Sequence, residues 1–92
     1  MEKLTLAINT ASSQTSIALF EGENLLIEKS WTGKNDEAEK LMPAIHKLLK
    51  KREFSDIEKV IVVKGPGSFT GLRIGVTVAN TISYLNKCPV FG

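Results

Sequence analysis

The sequence predicts an α/β domain: a mixed five-stranded sheet with two helices packed on one face. Three observations lead there. Three short strand-like runs open the chain, divided by tight polar breaks. A long amphipathic segment follows them. Beyond it, a continuous β-branched run leads into a second segment of helical length. The order β-β-β-α-β-α-β combines an antiparallel meander with later strands joined by right-handed crossovers, which makes the later pairings parallel.

Each element follows from its residues. Leu4, Leu6 and Ile8 alternate with Thr5, Ala7 and Asn9, as in a strand of about seven residues with one buried face. Ala11-Ser12-Ser13-Gln14 breaks that run, and Thr15 to Phe20 forms the second. A further polar break at Glu21-Gly22-Glu23-Asn24 precedes the third, Leu25 to Thr32. After Gly33-Lys34-Asn35-Asp36 the period changes. Ala38, Leu41, Met42, Ile45, Leu48 and Leu49 mark one apolar stripe of a helix from about Asp36 to Arg52. Asn35 suits its N-cap, with Asp36 and Glu37 at the positive end of the dipole and Lys47, Lys50, Lys51 and Arg52 at the negative end. Pro43 is discordant there and is expected to kink the helix or to mark where its regular part begins.

Val60-Ile61-Val62-Val63 reads as a strand buried on both faces, as parallel strands usually are. From Thr70 to Asn86 many residues favour strands by propensity, but the segment is too long for an ordinary strand, and length favours a helix. Thr70 or Ser68 can cap it and Asn86-Lys87 can end it before Pro89. Pro89 to Gly92 begins a fifth strand. Both helices then lie on one face, and nothing in the sequence covers the other, so a partner or a missing segment is expected there.

Composition narrows the function. The 92 residues, 42% hydrophobic and 24% charged, suit one small domain spanning 1–92. Twelve Lys and Arg against ten Asp and Glu leave +2 without a block of like charge, which argues against gripping nucleic acid by electrostatics alone. One cysteine, Cys88, permits no internal disulfide, and with the single His46 it cannot fill a four-ligand zinc site. No apolar run approaches the about 18 residues of a membrane span, and the opening residues are not those of a signal peptide. A cytoplasmic protein without membrane contact is expected.

Candidate chemistry concentrates in Lys64-Gly65-Pro66-Gly67-Ser68-Phe69-Thr70-Gly71-Leu72-Arg73-Ile74-Gly75, which joins a strand to a helix N-terminus. Free N–H groups and the helix dipole favour an anion there, making Gly65, Gly67, Ser68, Thr70 and Arg73 candidate anion-binding residues. The stretch is neither a Walker A loop nor G-x-G-x-x-G, and a tight strand-to-helix turn that needs glycine is the simpler reading, ahead of anion binding and of partner contact. Gly71, Gly75 and Ala79, four apart, form a small-residue stripe suited to the first helix or to a helix of another chain. Asn9 to Ser13 is a polar hairpin loop, a phosphate cradle or simply a turn. Trp31, near a strand end, is an interface anchor or edge packing. No Ser-His-Asp or Cys-His arrangement occurs, no carboxylate pair sits in a motif, and no zinc-ligand spacing appears. The sequence predicts no catalytic and no metal-binding residue.

The run GPGSFTGLRIGVTVANTIS closely resembles the signature of the TsaB (YeaZ) family. LAINTASSQTSIAL is similar to that family's opening strand-turn-strand, and EAEKLMPAIHKLL to its first helix, including the proline at Pro43. The resemblance implies the N-terminal lobe of a ribonuclease H-like/actin-like (ASKHA) fold with sheet order 3-2-1-4-5, the family's second lobe being absent from these residues. It further implies a non-catalytic partner of TsaD, the enzyme that forms N6-threonylcarbamoyladenosine at position 37 of tRNAs reading ANN codons. A TsaE-like ATPase joins the assembly, ATP and magnesium serve the assembled complex, and this chain needs no cofactor of its own. Contact with tRNA is only indirect. The family pairs through the two helices, which carries over to Leu41, Met42, Ile45, Gly71, Leu72, Gly75 and Ala79 as the partner interface, with a homodimer expected in isolation. Asn9 stands where the family usually carries Asp and brings no charge for a nucleotide's metal. The alternative is the nucleotide-phosphate-binding half of an ASKHA-type ATP-dependent enzyme, completed by a second chain.

Overall fold

The computed structural model describes residues 3–11, 14–32, 37–63 and 69–92, with the side chains of 37, 38 and 69–72 outside that description. Its strands are β1 (Leu4–Asn9), β2 (Gln14–Glu21), β3 (Asn24–Thr32), β4 (Ile57–Val62) and β5 (Val90–Phe91), and its helices α1 (Glu37–Leu49) and α2 (Phe69–Asn86). They form one sheet in the order β3-β2-β1-β4-β5. β1 pairs antiparallel with β2 and parallel with β4, β2 pairs antiparallel with β3, and β4 pairs parallel with β5. This is the mixed sheet and the strand order that the sequence led us to expect.

Alternation sets the two faces. Leu4, Leu6 and Ile8 of β1 lie beside Ile17 and Leu19 of β2 and Val60 and Val62 of β4, all buried, on the side that the helices cover. Leu41, Ile45 and Leu48 of α1 and Ala79 and Ile82 of α2 close that core. Burying a large aliphatic side chain contributes about 1.5–3 kcal/mol, so this layer supplies most of the driving force for folding.

The opposite face is only partly apolar and lies open. Register places Ala7, Ile61 and Phe91 in one row and Thr5, Phe20 and Leu25 in another. Leu25 is 51% exposed and Phe91 50%, and Ile61 and Val63 are also exposed. The β-branched run of β4 is thus buried through Val60 and Val62 only, and the reading of it as buried on both sides does not hold within this chain.

Both helices end on a lysine in left-handed backbone conformation, Lys50 at φ 56° and Lys87 at φ 53°. After α2 the N–H of Cys88 donates to the carbonyl of Ser83 at 3.1 Å, the six-to-one bond of a Schellman turn. α1 therefore stops at Leu49 rather than continuing to Arg52. It runs through Pro43, which costs the one helical hydrogen bond that Glu39 would have accepted from position 43. The expected cap at Asn35 and Asp36 lies outside the described residues.

The C-terminal end of α2 is tied to the connection before β4. Asn86 donates both amide hydrogens from Nδ2, to the carbonyls of Phe54 and Ile57, each at 3.0 Å. One side chain thereby links the 3-10 turn Phe54–Asp56 to the first residue of β4, sharing the Phe54 carbonyl with the Ile57 N–H.

Candidate functional site

The parallel strands β1 and β4 end side by side, and Val63 donates its N–H to the carbonyl of Ile8 at 2.9 Å. In open α/β sheets the carboxyl ends of such strands are where ligands usually bind. Here the first half of α2 lies directly over that end. A Cβ at Gly75 would fall well inside contact distance of Thr10 Oγ1 and would meet Val62 Cγ2 at 3.5 Å. At Gly75 the small-residue stripe thus brings α2 onto the sheet. Glycine is required at position 75 by this close approach.

The β1–β2 loop turns on its own side chain. Asn9 Oδ1 accepts the N–H of Ala11 at 3.0 Å, an Asx turn, and Thr10 and Ala11 are buried. The candidate oxygen of Asn9 is therefore engaged locally. Ser12 and Ser13 lie outside the described residues. So do Gly65, Gly67 and Ser68 of the candidate anion loop. Thr70 stands on the first turn of α2 with its side chain outside the description, and Arg73 is exposed on the same helix.

The proposed partner residues divide. Leu41, Ile45, Gly75 and Ala79 are buried inside the chain, where they hold α1 and α2 to the sheet, so none of them offers contact surface. That is a correction to the expected interface. Helical periodicity identifies an apolar face without revealing whether the chain's own sheet already covers it. Met42 is half-buried at the edge of the core. Gly71 and Leu72 lie on α2 with their side chains outside the description.

The outer face of α2 offers contact surface instead. Arg73, Thr77, Asn80, Thr81 and Tyr84 are exposed at helical spacing, and Arg73 is the one charged residue among the eighteen of the helix. Tyr84 is 83% exposed and its neighbour Leu85 61%. An uncovered surface helix normally carries charge on its outer face, and this one carries a single arginine among uncharged residues. That scarcity of charge is plain in the sequence of residues 69–86.

Other candidates have ordinary places. His46 is exposed and meets the Phe54 ring edge-on, with centroids 5.4 Å apart. Glu39 is exposed, and Trp31 is half-buried against the core. Burial pushes the Cys88 thiol above its ordinary value, and the negative charge of Glu58 adds to the effect against its own backbone hydrogen bond. No group of three His, Cys, Asp or Glu side chains that could hold a metal occurs among the described residues. Among those residues, no helix is long and apolar enough to cross a membrane.

Residues 33–92 match the family described as TsaD, tRNA N6-adenosine threonylcarbamoyltransferase. A Bacillus subtilis protein named tRNA threonylcarbamoyladenosine biosynthesis protein TsaB is 38% identical over 92% of this chain, which covers 38% of that relative. The structure of YeaZ from Pseudomonas aeruginosa superposes with a TM-score of 0.85 at 26% identity, over 97% of this chain and 42% of that one. A Bacteroides thetaiotaomicron protein with an actin-like ATPase fold gives a TM-score of 0.57 at 13% identity, over 99% of this chain and 33% of its own, which bears on fold alone. The chain spans about two fifths of the length of the TsaB relative and of YeaZ.

Proposed function

The chain belongs to the TsaD-type family, on its TsaB (YeaZ) branch, and we propose that it is a non-catalytic partner of a TsaD-type enzyme in the formation of N6-threonylcarbamoyladenosine at position 37 of tRNAs reading ANN codons. Docking uses the outer face of α2 together with the rim of α1 at Met42. The observation that carries this reading is the bare helix: eighteen residues with a single charge, ending in exposed Tyr84 and Leu85. Aromatic and aliphatic side chains of this kind are the usual anchors of protein interfaces, and depletion of charge is the compositional mark of an interface core.

In the same reading the enzyme holds the nucleotide that serves the reaction and contacts the tRNA, and a TsaE-like ATPase joins the assembly in the cytoplasm. ATP and magnesium serve the assembled complex. Two copies of the chain pair in isolation. Native mass spectrometry tests the reading: the chain alone, then mixed with the TsaD-type protein of the same source. A homodimer replaced by a 1:1 heterodimer is expected. A chain that ignores the enzyme overturns it.

A further inference from the structure

The edge strand β3 carries a charge where its pattern calls for an apolar residue. Register pairs Trp31 with Thr15, Lys29 with Ile17 and Ile27 with Leu19, so Lys29 and Trp31 stand on the helix-covered side of the sheet. Opposite them, Lys40, Pro43, Ala44 and Lys47 follow one another at i, i+3, i+4 and i+7 on α1 and so share one helix face. Between strand and helix lies a cavity of about 480 Å³ lined by these residues with Thr32 and Glu39.

Its chemistry is mixed in a particular way. Trp31, Pro43 and Ala44 give it apolar wall, and Lys29 and Lys47 give it positive charge. Among the described residues, the buried Trp31 Nε1 atom has no acceptor. The cavity is larger than a bare inorganic ion needs and falls within the usual size of a small-molecule site. We propose that it binds a small organic phosphate, the head held by Lys29 and Lys47 and the body lying against Trp31, Pro43 and Ala44. A phosphate monoester near pH 7 carries about −1.5 to −2, opposite in sign to the ammonium groups of Lys29 and Lys47. The inference is independent of partner docking through α2.

Trp31 is the one tryptophan of the chain, so its fluorescence reports this cavity alone. The probes are AMP, adenosine, inorganic phosphate and a short single-stranded RNA. The proposal expects a saturable change with AMP that weakens as salt rises, with adenosine and inorganic phosphate each binding at least about tenfold more weakly. Lys29→Gln and Lys47→Gln, both at exposed positions, should each weaken AMP by about tenfold while the circular dichroism spectrum stays unchanged. No response to AMP overturns the proposal. So does a response that survives both substitutions, as expected if Lys29 only protects a sheet edge. Inorganic phosphate binding as well as AMP removes the organic part, and RNA binding without AMP binding makes the cavity a nucleic-acid groove instead.

Discussion

Replacing Gly75 by alanine measures how closely α2 lies on the end of β1. In an exposed helix interior the change would stabilise by roughly 0.5–1 kcal/mol. Here the new methyl overlaps Thr10 Oγ1, and Thr10 is buried and already engaged in an interaction of its own. Overpacking of this kind costs about 1–3 kcal/mol. Set against the helix gain, a net loss of up to about 2.5 kcal/mol is expected. For a domain of this size, that lowers the melting temperature by up to about 20 °C.

The same structure says how to remove the penalty. Beyond the hydroxyl, the nearest atoms to the new Cβ are Val62 Cγ2 at 3.5 Å and Thr10 Cβ at 3.6 Å, both ordinary contacts. In a Thr10→Ala background, Gly75→Ala should therefore be neutral or stabilising by up to about 1 kcal/mol. Urea unfolding of the four proteins in a double-mutant cycle should give a coupling energy of about 2 kcal/mol. Equal cost in both backgrounds, or stabilisation by Gly75→Ala alone, would refute the close approach.

Two further outcomes follow from single side chains. Asn86→Ala removes one donor from each of the carbonyls of Phe54 and Ile57, of which Phe54 keeps the Ile57 N–H, and should cost about 1–2 kcal/mol in chemical unfolding. Asn86→Asp should cost more despite its matching shape, because a carboxylate has no hydrogen to give. Cys88 should react with iodoacetamide at mildly alkaline pH more slowly in the native chain than in the unfolded one, since burial raises its thiol above the ordinary value. The sign for stability follows: the folded chain keeps this proton longer, so the contribution is present below the ordinary thiol range and is lost as pH rises through the raised value.

Much of the fold was legible because it rests on local periodicity. The alternation of Leu4, Leu6 and Ile8 and the stripe of Leu41, Ile45 and Leu48 both name residues that the structure buries. The length of Thr70 to Asn86 outweighed its β-branched content correctly, since that segment lies within α2. What failed was the step from face to neighbour. Gly75 is small because the sheet lies against it, and a helical pattern cannot tell a sheet from another chain. The tie from Asn86 to Phe54 and Ile57 spans about thirty positions and leaves no local signal. The left-handed lysines at 50 and 87 occupy a conformation that sequence rules assign to glycine or asparagine. The central glycine loop was legible only as a resemblance, and residues 64–68 lie outside the described part of the chain.

The central claim is that the outer face of α2 is the working surface, and two charge insertions test it against the open sheet face. Tyr84→Asp and Leu25→Asp both change side chains that are more than half exposed, so each should fold. Native mass spectrometry with the TsaD-type protein of the same source should show the heterodimer lost with Tyr84→Asp and retained with Leu25→Asp. Loss with Leu25→Asp and retention with Tyr84→Asp would move recognition to the sheet and contradict the account.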